Sequence, residues 1–268
     1  MNIDDKVAVK LSENLDKLHS RLDRDLNRHQ DKVFRELKRD LSLVYDEIHE
    51  LAEDDMIPIS KTGIAKKRLN AFEKQLRETY EESITELVTD VAESVYNEYN
   101  KVFGDEGMGE EEFIRRIVNG VMRSKMEDGL DMFDRFRRNS VVIRQAIETV
   151  IIYRIVSRGS VSKLLREIGA EFDSLKWTIS RVVKSEMFSA NRRAVLETLK
   201  KLGDDYVVDF TDGMCGQPNH YEHSCYTLAQ EDRHGLGKGV FTAQDADIIY
   251  PHPACTSSIS IRKRDDVE

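Results

Sequence analysis

The chain has 268 residues, with 41 Lys and Arg against 50 Asp and Glu, a formal net charge of −9 and a hydrophobic fraction of 40%. That length suits one extended domain or two compact ones, and 14 glycines with 4 prolines are too few for an all-β sandwich or barrel, which needs a turn roughly every 8–12 residues. The acidic balance argues against a protein whose main task is to coat nucleic acid, because such domains carry a basic field that replaces phosphate counterions.

The longest apolar cluster, Val141 to Val156, is interrupted by Arg144, Gln145, Glu148 and Arg154, so no membrane span is expected. The first residues, MNIDDKVAVKLSENL, lack the apolar core of a secretory signal, and a cytoplasmic site of synthesis is expected. Three cysteines in such a compartment are free, catalytic or metal-bound rather than a disulfide framework.

Apolar or ring-bearing residues recur at Leu11, Leu15, Leu18, Leu22, Leu26, His29, Val33, Leu37, Leu41, Val44, Ile48 and Leu51. These steps of three and four predict one long amphipathic helix. Pro58 and the Ser60–Gly63 segment end it. A second helix is expected from about Ala65 to Phe103, with Leu69, Phe72, Leu76, Ile84, Leu87, Val91, Val95 and Val102 as its stripe. Gly104, Gly107 and Gly109 make a corner, and Glu110-Glu111-Glu112 open a third helix by placing negative charge at the positive end of its dipole. That helix is read as burying Phe113, Ile117, Val121, Leu130 and Phe133.

Val141 to Ser157 is apolar nearly all round and predicts a helix enclosed by its neighbours. Arg158-Gly159-Ser160 stops it, and Ser160 caps a short helix from Val161 to Phe172. A last helix from about Ser174 to Leu202 ends at Gly203.

Composition then changes. Beyond Gly203 lie Pro218, Pro251 and Pro253, all three cysteines, and His220, His223, His234 and His252. Two β-prone runs, Tyr206–Thr211 and Ser258–Ile261, bracket Cys215, Cys225 and the His252-Pro253-Ala254-Cys255 segment. The fold class expected is mainly α, an elongated multi-helix body with a small C-terminal α+β Cys/His module. Along the chain this divides into residues 1–140, central helices 141–203, and the module 204–268.

Three thiolates and one imidazole satisfy the tetrahedral coordination of a structural Zn²⁺, which would staple a module too small to build its own core. The candidate set is Cys215, Cys225, His252 and Cys255, with His220 or His223 as substitutes. Buried thiols, or a Cys215–Cys225 bridge outside a cell, are the alternatives.

The run Arg181-Val182-Val183-Lys184-Ser185-Glu186-Met187-Phe188-Ser189-Ala190-Asn191-Arg192, followed by Asp212, Cys215, Cys225 and His252-Pro253-Ala254-Cys255, resembles the minor head proteins of tailed phages, the Mu F-like head morphogenesis family. Lys184-Ser185-Glu186 stands where that family has Arg-Thr-Glu, and the first two cysteines are further apart than is usual in it. The resemblance covers about the last 110 residues, and the region before them resembles the family only in being helical. It implies a virion protein made in the bacterial host cytoplasm, non-catalytic, associated with the portal vertex, and acting in procapsid assembly and in DNA packaging or ejection. Its implied partners are the portal, the major capsid or scaffold protein, and phage DNA. Asp212 stands as the family's aspartate ahead of the cysteines. Arg181, Lys184, Glu186 and Asn191 either dock the helix on the module through ion pairs and hydrogen bonds or line a solvated helix face.

Two other functional classes remain open. A zinc hydrolase would use His220, His223 or Glu222 beside a metal with an open position. A zinc-ribbon nucleic-acid-binding protein would show steeply salt-dependent affinity for DNA. No Walker A loop, dinucleotide fingerprint, nucleophile elbow or His-Glu-x-x-His is present.

Overall fold

The computed structural model describes residues 5–104, 109–125, 129–213 and 220–266. The chain is mainly α. Helices α1 (Asp5–Leu51), α2 (Thr62–Phe103), α3 (Glu110–Arg123), α4 (Met132–Val156), α5 (Val161–Ser174) and α6 (Lys176–Leu202) precede a small C-terminal region. That region contains strand β1 (Tyr206–Thr211), the short helix α7 (Ser224–Gln230), β2 (Val240–Phe241) and β3 (Ser258–Lys263). No helix among the described residues is long and apolar enough to cross a membrane.

The chain forms two compact units that are not consecutive in sequence. One gathers Met1–His29, Thr85–Met132 and Arg181–Glu268; the other gathers Gln30–Ile84 and Phe133–Ser180. The boundary is visible on α1 itself. Its fully buried stripe lapses between Leu22 and Val33, where Leu26 and His29 are only half-buried.

In the first unit, α1 buries Leu11, Leu15, Leu18 and Leu22, and α2 buries Leu87, Val88, Val91, Ala92, Val95 and Tyr99. These positions recur at three and four residues, so each helix removes one stripe from water at about 25 cal/mol per Å² of apolar surface. Tyr99 packs between Phe103 and Phe113, with ring centroids 4.6 and 6.1 Å away. Helix α6 stops at Gly203, which takes φ +90° while its N–H returns to the Leu199 carbonyl at 3.2 Å. A β-carbon would resist that left-handed turn.

The sheet has the order β2-β1-β3, antiparallel throughout. Val208 stands opposite Phe241 on one side and Ile261 on the other, and Phe210 stands opposite Ile259. On the other face of β1, Asp209 pairs with Arg262 at 2.9 Å. The segment leading to β2 is tied down by Arg233, which forks onto Glu231 and Asp247 and lies over the Phe241 ring, 5.1 Å from its centroid.

In the second unit, α4 buries Phe136, Ile143, Ile147, Ile151 and Ile155. Val142, Tyr153 and Val156 are exposed, so α4 shows one apolar stripe and is not enclosed on all sides as its composition suggests. The expected third helix is also divided. Helix α3 ends at Arg123, and Phe133 falls in the first turn of α4, where it is exposed. Ser160 caps α5 by accepting the Lys163 N–H at 3.3 Å, as its position after Arg158-Gly159 predicts.

One polar residue strains this unit. Asp40 on α1 is almost wholly removed from solvent, and burial, reinforced by Glu82, raises its carboxyl above the ordinary aspartate value despite a hydrogen bond from Thr79. The folded chain therefore holds this proton more tightly than the unfolded chain. Stability is lost as pH rises through the raised value and stays lower at neutral pH. Asp40→Asn should raise the urea midpoint at pH 7 and leave it unchanged at a pH below the ordinary aspartate range. Equal effects at both pH values would contradict this.

Candidate metal centre

Three segments of the first unit build the site. Helix α6 supplies its floor, the start of α7 carries His223, Ser224 and Cys225, and the turn before β3 carries His252 to Ser257. The Ser224 hydroxyl donates to the Pro251 carbonyl and ties the second segment to the third. The turn itself is unusual, since Ala254 adopts φ 62°, a left-handed conformation that costs a β-carbon-bearing residue roughly 1–2 kcal/mol. The Ala254 N–H donates to Ser185 Oγ on α6 at 2.6 Å, which holds the turn in place.

Approach from β1 is equally restricted. A β-carbon on Gly213 would lie 2.6 Å from the Ser257 nitrogen and 2.7 Å from the Thr256 carbonyl carbon. Asp212-Gly213 is thus more than a turn signal, because the glycine lets this strand end lie against the chain that follows Cys255.

His252 is oriented for a metal. Its Nδ1–H donates to the Pro253 carbonyl at 2.9 Å, which leaves the Nε2 lone pair directed at Cys225 Sγ, 3.1 Å away. A backbone carbonyl fixing one ring nitrogen while the other faces a thiol is the arrangement that orients imidazole ligands. The His223 ring meets the His252 ring edge-on at 4.8 Å. The ligand atoms of His223, Cys225 and His252 all lie within 4.8 Å of one another. In a Zn²⁺ tetrahedron such atoms are about 3.3–3.8 Å apart, so small side-chain rotations bring them onto a common ion. This His223/Cys225/His252 group could hold a metal.

Cys255 adjoins the group. It hydrogen-bonds with both Cys225 and His252. Its Sγ also lies 3.1 Å from the Ser257 hydroxyl oxygen and accepts the Ser257 N–H at 3.4 Å. Both thiols are fully buried. The Cys255 thiol is held well below the ordinary thiol range, first by its bond to Cys225 and further by His252 and Arg192, against the opposing effect of burial. Burial disfavours the His252 imidazolium, but Cys255 and the Pro253 carbonyl outweigh it and raise the ring's proton affinity.

Behind the sulfurs lies Arg192, 1% exposed. Its Nε donates to the Ile249 carbonyl at 2.9 Å and its Nη1 to the Ser257 carbonyl at 2.8 Å, so one guanidinium grips the chain on both sides of the His252–Cys255 turn. Burial works against its charge, while Cys255, Tyr250, Cys225 and Glu186 favour it. Asn191, the residue before it, accepts from His19 Nδ1 on α1 at 3.2 Å.

Not every residue expected to dock α6 on the module does so. Glu186 and Asn191 are buried, but Arg181 is exposed and Lys184 only half-buried. Arg181 stands one turn short of the contact, and Lys184 is rotated about 100° from Ser185. Ser185 and Arg192 make the contact instead, and Ser189, between them on the same face, accepts from Arg192 Nη2. Cys215 and the His220 side chain lie outside the described residues, and Asp212 is half-buried after β1. No family model, curated protein or solved structure matches the chain.

Two outcomes follow for the site. Arg192→Met should destabilise the protein by about 3–5 kcal/mol, the range for removing one member of a buried charge set. Ser185→Ala should cost about 1–3 kcal/mol by leaving the Ala254 N–H unsatisfied, and both are read from urea denaturation. If Arg192→Met costs under about 1 kcal/mol, the guanidinium does not hold the turn.

The second outcome concerns acid. Burial lowers the His19 pKa from its usual 6.5, so the folded chain binds fewer protons than the unfolded chain as pH falls below that value, and stability declines there. In chelated protein, His19→Gln should flatten the stability-versus-pH curve between neutrality and mild acid. An unchanged slope would remove His19 from the explanation.

Proposed function

We propose that this chain is a minor head protein of a tailed bacteriophage, a non-catalytic virion component that associates with the portal vertex and acts in procapsid assembly and in DNA packaging or ejection. The observation that carries the reading is the direct contact between two segments of the resemblance that lie far apart in sequence. The Ala254 N–H within His252-Pro253-Ala254-Cys255 donates to Ser185 of the Lys184-Ser185-Glu186 run, and Arg192, at the end of the longer Arg181–Arg192 run, holds the chain just beyond that motif at Ser257. That contact supports the reading, because it joins two parts of the resemblance in one packed unit.

The metal belongs to the same reading. Cys225, Cys255, His252 and His223 would hold a structural Zn²⁺, which when bound would join α7 to the turn before β3. Two buried thiols favour a closed site, in which the ion stabilises rather than reacts. The partners on this reading are the portal protein, the major capsid or scaffold protein, and phage DNA.

Two measurements test it. The purified protein should contain about one zinc per chain, reduced by Cys225→Ser or His252→Asn. Co-expressed with the portal, scaffold and major capsid proteins of one phage genome, the chain should sediment with procapsids only when portal is present. A chain that stays in the free fraction, or that hydrolyses substrates through a metal with exchangeable water, would contradict the proposal.

A further inference from the structure

We infer that Cys225 and Cys255 are a redox pair whose oxidation to an internal disulfide expels the metal, so that the module is stapled either by an ion or by a covalent bond. The inference rests on the metal centre proposed above and adds its regulation.

The geometry supplies three conditions. Both thiols engage one imidazole and each other: Cys225 Sγ is 3.1 Å from His252 Nε2, and Cys255 hydrogen-bonds with Cys225 and His252. The two sulfurs come from separate segments, α7 and the turn before β3, so a bond between them would cross-link the same elements that a shared ion would. Both thiols are buried, while His223 and His252 on the same cluster are partly exposed and place the cluster at the edge of the unit.

With a hydroperoxide as oxidant the chemistry balances. One thiolate attacks a peroxide oxygen; the S–O bond forms, the O–O bond breaks, and hydroxide leaves. The second thiolate attacks the sulfenic sulfur, the S–S bond forms, and the S–O bond breaks with loss of a second hydroxide. Two electrons pass from the sulfurs to the peroxide, and two protons convert the hydroxides to water. Disulfide sulfur has lost the anionic charge that binds Zn²⁺, so the ion departs.

The test uses the full-length protein, either zinc-loaded or stripped with chelator, exposed to hydrogen peroxide. Peptide mapping should find Cys225 linked to Cys255, zinc should appear in solution in step with the cross-link, and a thiol reductant should reverse both. The zinc-loaded form should cross-link more slowly than the stripped form. Cys225→Ser and Cys255→Ser should each abolish the link, and if either variant fails to fold, the wild-type peptide map decides alone. Over-oxidised thiols without a link, or a link through Cys215, overturns the inference. Zinc content of untreated protein is read separately, so failure of the metal centre is distinguishable from failure of the redox pair.

Discussion

A guanidinium that cannot reach water is the constraint on which the C-terminal region depends. Arg192 is buried, and its hydrogen bonds go to the carbonyls of Ile249 and Ser257 and to the Ser189 hydroxyl. A cation in such a place persists only if its donors are filled and negative charge lies near. The carbonyls do the first, and Glu186 with the thiols of Cys225 and Cys255 does the second. The backbone around His252–Cys255 is therefore pulled onto α6, and the sulfur and imidazole groups are carried with it. A Zn²⁺ shared by two thiolates and two neutral imidazoles is electrically neutral, which would leave Arg192 and Glu186 to balance each other.

The same face of α6 explains a rule-breaking turn. Left-handed Ala254 is costly, yet its N–H is aimed at Ser185 Oγ by that conformation. Ser185, Ser189 and Arg192 act as a polar strip inside an otherwise apolar environment. On the far side of the helix, Asn191 engages His19, so α1 is drawn into the same set of polar contacts.

Much of the helical architecture was legible because aliphatic side chains recur every three or four residues, as in Leu11 to Leu51, and because Ser160 and Gly203 mark their helix ends with identifiable chemistry. β1 was legible from its β-branched and aromatic run, and β3 in its first four residues. The most enclosed helix was misassigned. Val141 to Ser157 is rich in large aliphatics but presents one stripe, whereas α6 from Ser185 to Leu199 is buried almost continuously through small and polar residues, Ser189, Ala190, Ala194 and Thr198 among them. Hydrophobic periodicity registers size and polarity and does not register partners that lie far along the chain. For the same reason Cys225, His252 and Cys255 were identifiable by residue type, while the choice of His223, the docking role of Ser185 and the burial of Arg192 depend on contacts between residues separated by dozens of positions. Helix α7 is only about two turns long and is anchored by the site itself, and nothing in its local pattern announces it.

The central proposal is that Cys225, His223 and His252, joined by the neighbouring Cys255, form a single ligand set in front of Arg192. X-ray absorption at the zinc edge of the purified full-length protein tests this most directly. The account predicts a first shell of two sulfur and two nitrogen scatterers, and a shell of oxygen and nitrogen without sulfur would contradict it.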